Sequence, residues 1–325
     1  MRVAINGFGR IGRAIFKIGL DKGLDIVAIN DLMDIKNLVY LLKHDSVYHE
    51  YGKKIVVKKN SIIFNGKKII VLAEKDPKKL PWKKLGVGLV LECTGFFTER
   101  KDVKKHLEAG AKKVIISAPA KNPDVTIVLG VNEKILKKEH KIISLASCTT
   151  NCLAPIVKVL NDEFGIERGF MTTVHAYTST QSTLDGPDEK LRRGRAAAEN
   201  IVPTTSGATK ATGEVIPELK GKIDGLAMRV PVACGSIVDF VAELNEIVVS
   251  DRVNKILKKA SKKLKGILQY TEDELVSSDI IGNTHSAIID GLSTQSIGKI
   301  VKVLGWYDNE WGYSSRMVDL AKKLR

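Results

Sequence analysis

The chain has 325 residues, 44% of them hydrophobic, and a formal net charge of +15 at neutral pH. That length accommodates two domains of ordinary size with a core each, and the absence of any run of about eighteen apolar residues excludes a membrane-spanning helix. Four cysteines, Cys93, Cys148, Cys152 and Cys234, are too few and too scattered for a disulfide framework, and no second Cys/His pair accompanies Cys148 and Cys152 to complete a zinc site.

The first strand, Val3 to Ile5, starts with no charged-then-apolar leader ahead of it, so the cytoplasm is the expected compartment. Gly7-Phe8-Gly9-Arg10-Ile11-Gly12 follows that strand directly and opens a helix that runs at helical spacing from Ile11 to Leu20. In this context the glycine spacing points to a dinucleotide site. Gly7 permits a tight turn, Gly9 lets backbone approach a pyrophosphate, and Gly12 allows close helix–strand packing, with the phosphates on the helix N-terminus. The next strand, Ile26 to Ile29, leads into Asn30-Asp31. An acid there accepts hydrogen bonds from the adenine-ribose diol and repels a 2′-phosphate, which favours NAD over NADP.

A helix over 35–42 follows, then two short strands, Ile55 to Val57 and Ser61 to Phe64, joined by Lys58-Lys59-Asn60 and followed by the turn Asn65-Gly66, which read as inserted hairpins. Strand–helix alternation resumes with a strand at 87–91, a helix at 100–109 and strands at 114–116 and 127–129, the pattern of a parallel sheet with crossover helices. Beyond Asn151 the pattern changes. Segments 169–174, 225–232 and 237–244 read as members of one antiparallel sheet, so the second domain is α+β.

At the change of pattern stands Ser147-Cys148-Thr149-Thr150-Asn151-Cys152, between the apolar run Lys141 to Ala146 and a helix expected over 149–164. A cysteine at a helix N-terminus feels unpaired N–H groups and the positive dipole end, which stabilise the nucleophilic thiolate. Buried inert cysteines are commoner in general, but they rarely have so many hydrogen-bonding neighbours. His175 ends a strand 27 residues later and is followed by the polar run Tyr177 to Thr180, which suits a base for the thiol. A nicotinamide cofactor beside a reactive cysteine implies oxidation of an aldehyde through a thioester.

Three segments, Ile5 to Arg13, Ala146 to Pro155 and Trp306-Tyr307-Asp308-Asn309-Glu310, are similar to the most specific signatures of the phosphorylating glyceraldehyde-3-phosphate dehydrogenases, and the resemblance covers essentially the whole chain. It implies an α/β fold with a Rossmann NAD-binding domain, 1–147 completed by a C-terminal helix at 312–325. A catalytic α+β domain with a mainly antiparallel sheet occupies 148–311, and the usual state is a homotetramer. Carried over residue by residue, it implies Cys148 as nucleophile and His175 as base. Thr178 and Arg229 would hold the C3 phosphate of glyceraldehyde 3-phosphate, and Ser147, Thr149, Ser206 and Gly207 the attacking inorganic phosphate. Arg10, Ile11, Asp31, Ser117 and Asn309 would contact NAD, with Tyr313 near the nicotinamide. Arginine and hydroxyl groups with backbone N–H donors are what two phosphates require.

Three positions depart from the family pattern. Ser206 stands in place of a threonine, Lys75 in place of an arginine near the adenine, and Gly186 in place of a leucine that helps NAD-specific members close the adenosine pocket; NADP tolerance therefore stays open. Three other readings compete, one of them an inactive structural homologue, against which the intact Cys148, His175 and Arg229 set argues. Erythrose-4-phosphate dehydrogenase shares the motifs and hydrolyses its thioester. A nucleic-acid-binding protein would use the basic surface, but the lysines are dispersed in short groups and aromatics make up 6%, so weak nonspecific binding is the most that charge supports.

Overall fold

Strands alternating with crossover helices return the chain in one direction, and in this protein they build a parallel sheet to which hairpins are added at one edge. The computed structural model describes residues 1–324. Two units divide the chain: Met1–Ile127, Lys134–Ala146 and the stretch from Ser314 form one, and Val128–Glu133 with Ser147–Tyr313 form the other.

The main elements of the first unit are β1 (Arg2–Asn6), α1 (Arg10–Asp21), β2 (Asp25–Asn30), α2 (Ile35–Lys43), β3 (Ile55–Lys58), β4 (Ser61–Phe64), β5 (Lys67–Leu72), β6 (Val87–Glu92), α3 (Arg100–Glu108), β7 (Lys113–Ile116), β8 (Val125–Thr126) and β9 (Ile142–Ser144). They form a nine-stranded sheet in the order β8-β9-β7-β6-β1-β2-β5-β4-β3. All pairs are parallel except β5–β4 and β4–β3, the two hairpins. Asn65 and Gly66 both adopt positive φ, 47° and 75°, as the tight β4–β5 turn demands. The strand expected at 127–129 is replaced by the two-residue β8, because the chain turns at Gly130, whose φ is 84°. Ala4, Ala28, Val90 and Val114 from four adjacent strands pack with Trp82 and Val103 in the core.

In the second unit the main elements are α4 (Cys148–Phe164), β10 (Ile166–Ala176), β11 (Val202–Thr205), α5 (Ala208–Val215), β12 (Ile223–Val230), β13 (Ser236–Leu244), α6 (Ser250–Lys263), β14 (Leu268–Thr271), β15 (Ala287–Ile297) and β16 (Ile300–Tyr307). Their sheet has seven strands in the order β11-β12-β10-β13-β16-β15-β14. One expectation needs correction: β10 and β12 run parallel, although β13 is antiparallel to β10. The alternating burial of these strands gives no direction, and direction is what parallel and antiparallel pairing differ in. Helix α4 lies on the sheet so closely that a Cβ on Gly305 would stand 2.6 Å from Ile156 Cδ1 and 3.2 Å from Cys152 Sγ. Cys152 is thus a core residue. The last helix, α7 (Trp311–Lys323), belongs to the first unit from Ser314 onward.

Candidate active site

The nucleophile's position is set by the backbone. Ala146, fully buried, has φ of 52° in the left-handed region that non-glycine residues avoid. Ser147 follows as the N-cap of α4, its Oγ accepting from the N–H of Thr150 at 3.1 Å, while its carbonyl accepts from the N–H of Asn151 at 3.0 Å and from Asn151 Nδ2 at 2.9 Å. Cys148 is the first helical residue and keeps part of its surface open. Its Sγ lies 3.5 Å from His175 Nε2.

Register brings in the third member. His175 on β10 is paired directly with Arg229 on β12, a neighbour relation that only the parallel alignment creates. Arg229 Nη1 stands 2.8 Å from His175 Nδ1 and donates to the carbonyl of Ala176 at 2.9 Å; the same carbonyl is 2.6 Å from Nδ1. The Tyr307 ring meets the imidazole edge-on at 5.9 Å between centroids.

Electrostatics here depart from the expectation of a thiolate beside an ordinary histidine. Burial, reinforced by the Arg229 charge, pushes His175 down to about 3. Burial also raises the Cys148 thiol, against the pull of Arg229, of the Thr149 hydroxyl and of the backbone N–H groups of Thr149 and Cys148. Desolvation outweighs the helix terminus, and the thiol and imidazole are held neutral. An anion placed against Arg229 removes the charge that opposes an imidazolium.

The other expected anion-binding residues sit as follows. Thr178 is at the surface after β10, its Oγ1 2.8 Å from Thr180 Oγ1. Ser206 Oγ accepts from the N–H of Ala208 at 3.2 Å, and Gly207 is the N-cap of α5. Thr149 is 95% buried, its Oγ1 hydrogen-bonded to Tyr307 at 2.9 Å. Sequence reading passed over Tyr307 and Arg193. The first sits inside one of the quoted signatures and would have been found from its inward place in the alternation of β16; the second is one arginine among three in Leu191 to Arg195, with nothing local to single it out. Arg193 binds Thr204 Oγ1 at 3.0 Å and adds to the positive field on His175.

Of the dinucleotide candidates of the first unit, Gly7, Gly9, Asp31 and Lys75 line a cavity of ≈ 550 Å³, and Arg10, Ile11, Gly12 and Ser117 lie outside its lining. The glycine loop fits a phosphate cradle. Gly7 has φ of 90° and a Cβ there would stand 2.6 Å from the Thr94 nitrogen; a Cβ on Gly12 would stand 2.1 Å from the Gly7 carbonyl oxygen. Gly9 caps α1, whose first residues are Arg10 and Ile11. Asp31 Oδ2 accepts from the N–H of Phe8 at 2.7 Å and Oδ1 from Met33 at 3.0 Å, so the carboxylate braces the loop and keeps lone pairs for a ribose diol. The Arg10 guanidinium is engaged with Asp45 at 2.7 Å. Ser117 directly follows β7, its N–H donating to the Glu92 carbonyl at 2.9 Å. In the second unit, Asn309 Oδ1 accepts from Gly235 N at 3.2 Å and Ser236 Oγ at 3.0 Å, and Tyr313 is buried in α7.

Comparison with known proteins shows the family. Residues 1–100 match the glyceraldehyde 3-phosphate dehydrogenase NAD binding domain, and residues 147–309 match the C-terminal domain of the same family. A glyceraldehyde-3-phosphate dehydrogenase from Geobacillus stearothermophilus is 58% identical over 325 residues, 99% of this chain and 97% of its own length. Similar proteins occur in Borreliella burgdorferi, 55% identical over 100% of this chain and 99% of the relative, and in Bacillus subtilis, 58% identical over 99% and 97%.

Proposed function

The chain belongs to the glyceraldehyde-3-phosphate dehydrogenase family and is an NAD-dependent oxidoreductase, and from that premise we propose that it converts D-glyceraldehyde 3-phosphate, NAD and inorganic phosphate to 1,3-bisphosphoglycerate through a thioester on Cys148. The observation that carries this reading is the 3.5 Å approach of Cys148 Sγ to His175 Nε2 at a capped helix start, with Arg229 at the ring's other nitrogen.

Arg229 and Thr178 take the C3 phosphate, which neutralises the charge that suppresses His175. As Sγ adds to the aldehyde carbon, the thiol proton passes to His175 Nε2, and the N–H of Cys148 at the helix start stabilises the oxyanion. Bound NAD supplies the hydride acceptor. His175 returns its proton to the oxyanion and takes it back from the hydroxyl as the thiohemiacetal carbon gives up hydride and becomes a thioester. Inorganic phosphate, beside Ser147, Thr149, Ser206 and Gly207, then attacks the acyl carbon; the C–S bond breaks and the sulfur recovers a proton from His175. Asp31 favours NAD over NADP by placing like charge opposite a 2′-phosphate.

A homotetramer is the assembly this reading implies. It is supported by the sheet face of the second unit that α4 leaves uncovered, where Phe170, Val174 and Leu226 are exposed on adjacent strands. The test of the activity is NADH formation from glyceraldehyde 3-phosphate with and without inorganic phosphate. We expect saturable dependence on phosphate in the native protein and no turnover after Cys148→Ser, with NAD binding retained. Equal rates with and without phosphate would point to hydrolysis of the thioester and overturn the phosphorylating assignment.

A further inference from the structure

The C-terminal ends of three neighbouring strands in the first unit carry a buried chain of side-chain hydrogen bonds that no step of the reaction uses. Asn30 of β2, Asn6 of β1 and Glu92 of β6 stand side by side in register. Glu92, Asn6, His106 of α3 and Trp82 are each at most 1% exposed. Four donors meet the carboxylate. Asn6 Nδ2 at 2.6 Å and His106 Nε2 at 3.0 Å reach Oε2, and the N–H of Thr94 at 2.8 Å and the Thr94 hydroxyl reach Oε1. The indole nitrogen of Trp82 only donates, and it points at His106 Nδ1 from 3.0 Å. Nδ1 therefore bears no proton. The ring's one proton is on Nε2, and Trp82 locks His106 as a neutral donor to Glu92.

From this carboxylate a fixed polarity runs outward in two directions. Asn6 gives Nδ2 to Glu92, so its Oδ1 is left to accept from Asn30 Nδ2 at 2.7 Å. Asn30 then turns Oδ1 to the N–H of Glu74 at 2.9 Å, and its Nδ2 also reaches the Glu74 carbonyl at 2.9 Å. On the other side Thr94 gives its hydroxyl proton to Glu92, and its Oγ1 accepts from the N–H of Phe96 at 3.1 Å across Gly95, whose φ is 76°. Both directions end at one place. Thr94 and Phe96, and Glu74 with Lys75, line the same cavity as Gly7, Gly9 and Asp31.

We propose that Glu92, with His106 locked behind it by Trp82, is a positioning residue for NAD: one buried carboxylate orients two walls of the cavity, Thr94 to Phe96 and Glu74 to Lys75, against the cofactor's adenosine half. The proposal rests on reading this cavity, where Asp31 faces a ribose diol, as the place of that half. A carboxylate suits the task because it accepts at every lone pair, and an isosteric amide does not. In Glu92→Gln the amide nitrogen meets donors at either oxygen's place. At one stands the backbone N–H of Thr94, which cannot turn. At the other stand Asn6 and His106, and His106 cannot change tautomer while Trp82 occupies Nδ1. Asn6 can turn only by presenting Nδ2 to Asn30, which hands the mismatch to the wall at Glu74.

ADP-ribose, which carries the adenosine half without the nicotinamide, is the probe, and titration calorimetry reads its Kd and the number of competent sites separately. Glu92→Gln should raise the Kd of ADP-ribose, and that of NAD by the same factor, on the order of tenfold. A lesion that only destabilises the fold lowers the number of sites and leaves the Kd of the remainder. His106→Leu removes donor and acceptor together and should show the same rise. His106→Gln, whose amide can accept from Trp82 and donate to Glu92, should return the Kd to within about threefold of the native value. Where Glu92→Gln does not fold, the His106 pair decides. An unaltered Kd in Glu92→Gln or His106→Leu, or equal losses in the two His106 variants, would overturn the proposal. Unaltered ADP-ribose binding in Asp31→Ala would instead overturn the placing of the adenosine half in this cavity, and the proposal with it.

Discussion

In the proposed reaction Arg229 would combine recognition with control of the base, because the guanidinium 2.8 Å from the imidazole Nδ1 is also the one assigned to the substrate's phosphate. Replacing it by leucine should cost about 1.5–3 kcal/mol, roughly ten- to a hundredfold in kcat/KM, for the phosphorylated aldehyde. Unphosphorylated glyceraldehyde has no remote anion to bind and meets only the relief of His175 from the Arg229 charge, so it should not share that loss; equal losses on both substrates would make Arg229 a structural residue. His175 allows a separate test. Its folded pKa, about 3, lies below the ordinary 6.5, so the unfolded chain binds the proton more readily. Its contribution to stability is therefore present above pH 6.5 and lost as pH falls toward 3. His175→Asn should show a shallower decline of Tm over that interval, and an unaltered pH profile would mean the imidazole is not held neutral.

At the scale of elements, the sites sit where strands end and helices begin. Asp31 follows β2 and its carboxylate fixes the loop before α1 through the N–H of Phe8. Asp31→Ala should weaken NAD binding by loosening that loop and, by removing like charge from the 2′ position, improve NADP relative to NAD in kcat/KM. A native protein that already prefers NADP would show that Gly186 outweighs Asp31. The Ser147 cap holds the start of α4 in the same way, joining the strained Ala146 to the helix that carries Cys148.

For the molecule as a whole, the uncovered face of the seven-stranded sheet is where the proposed assembly would form. Phe170, 71% exposed at the middle of β10, stands beside β12, which carries the exposed Leu226. Phe170→Glu would place a charge in any interface buried there, and sedimentation should show smaller particles than the native protein gives. Unaltered sedimentation would move the interface elsewhere. The net charge of +15 acts at this scale too, drawing anionic substrates by a field that salt screens.

The sequence by itself determined whatever depends on local order. Glycine spacing after a strand, an acid at the end of the next strand, and a cysteine at a helix start are contiguous patterns, and each has its physical meaning within a few residues. Even the β3–β5 hairpins were legible, since Asn65-Gly66 supplies the positive φ that their turn needs. Tertiary structure alone decided the pairing of His175 with Arg229, 54 positions apart, because strand direction follows from connection and packing and not from alternation. It also decided the balance at Cys148: a helix N-terminus lowers a thiol's pKa, but how much water the fold removes is invisible in sequence, and burial won. The hydroxyl chain Thr149–Tyr307–Thr173 belongs with these. A hydroxyl donates or accepts according to its neighbours, and those neighbours come from one helix and three strands that only folding brings together.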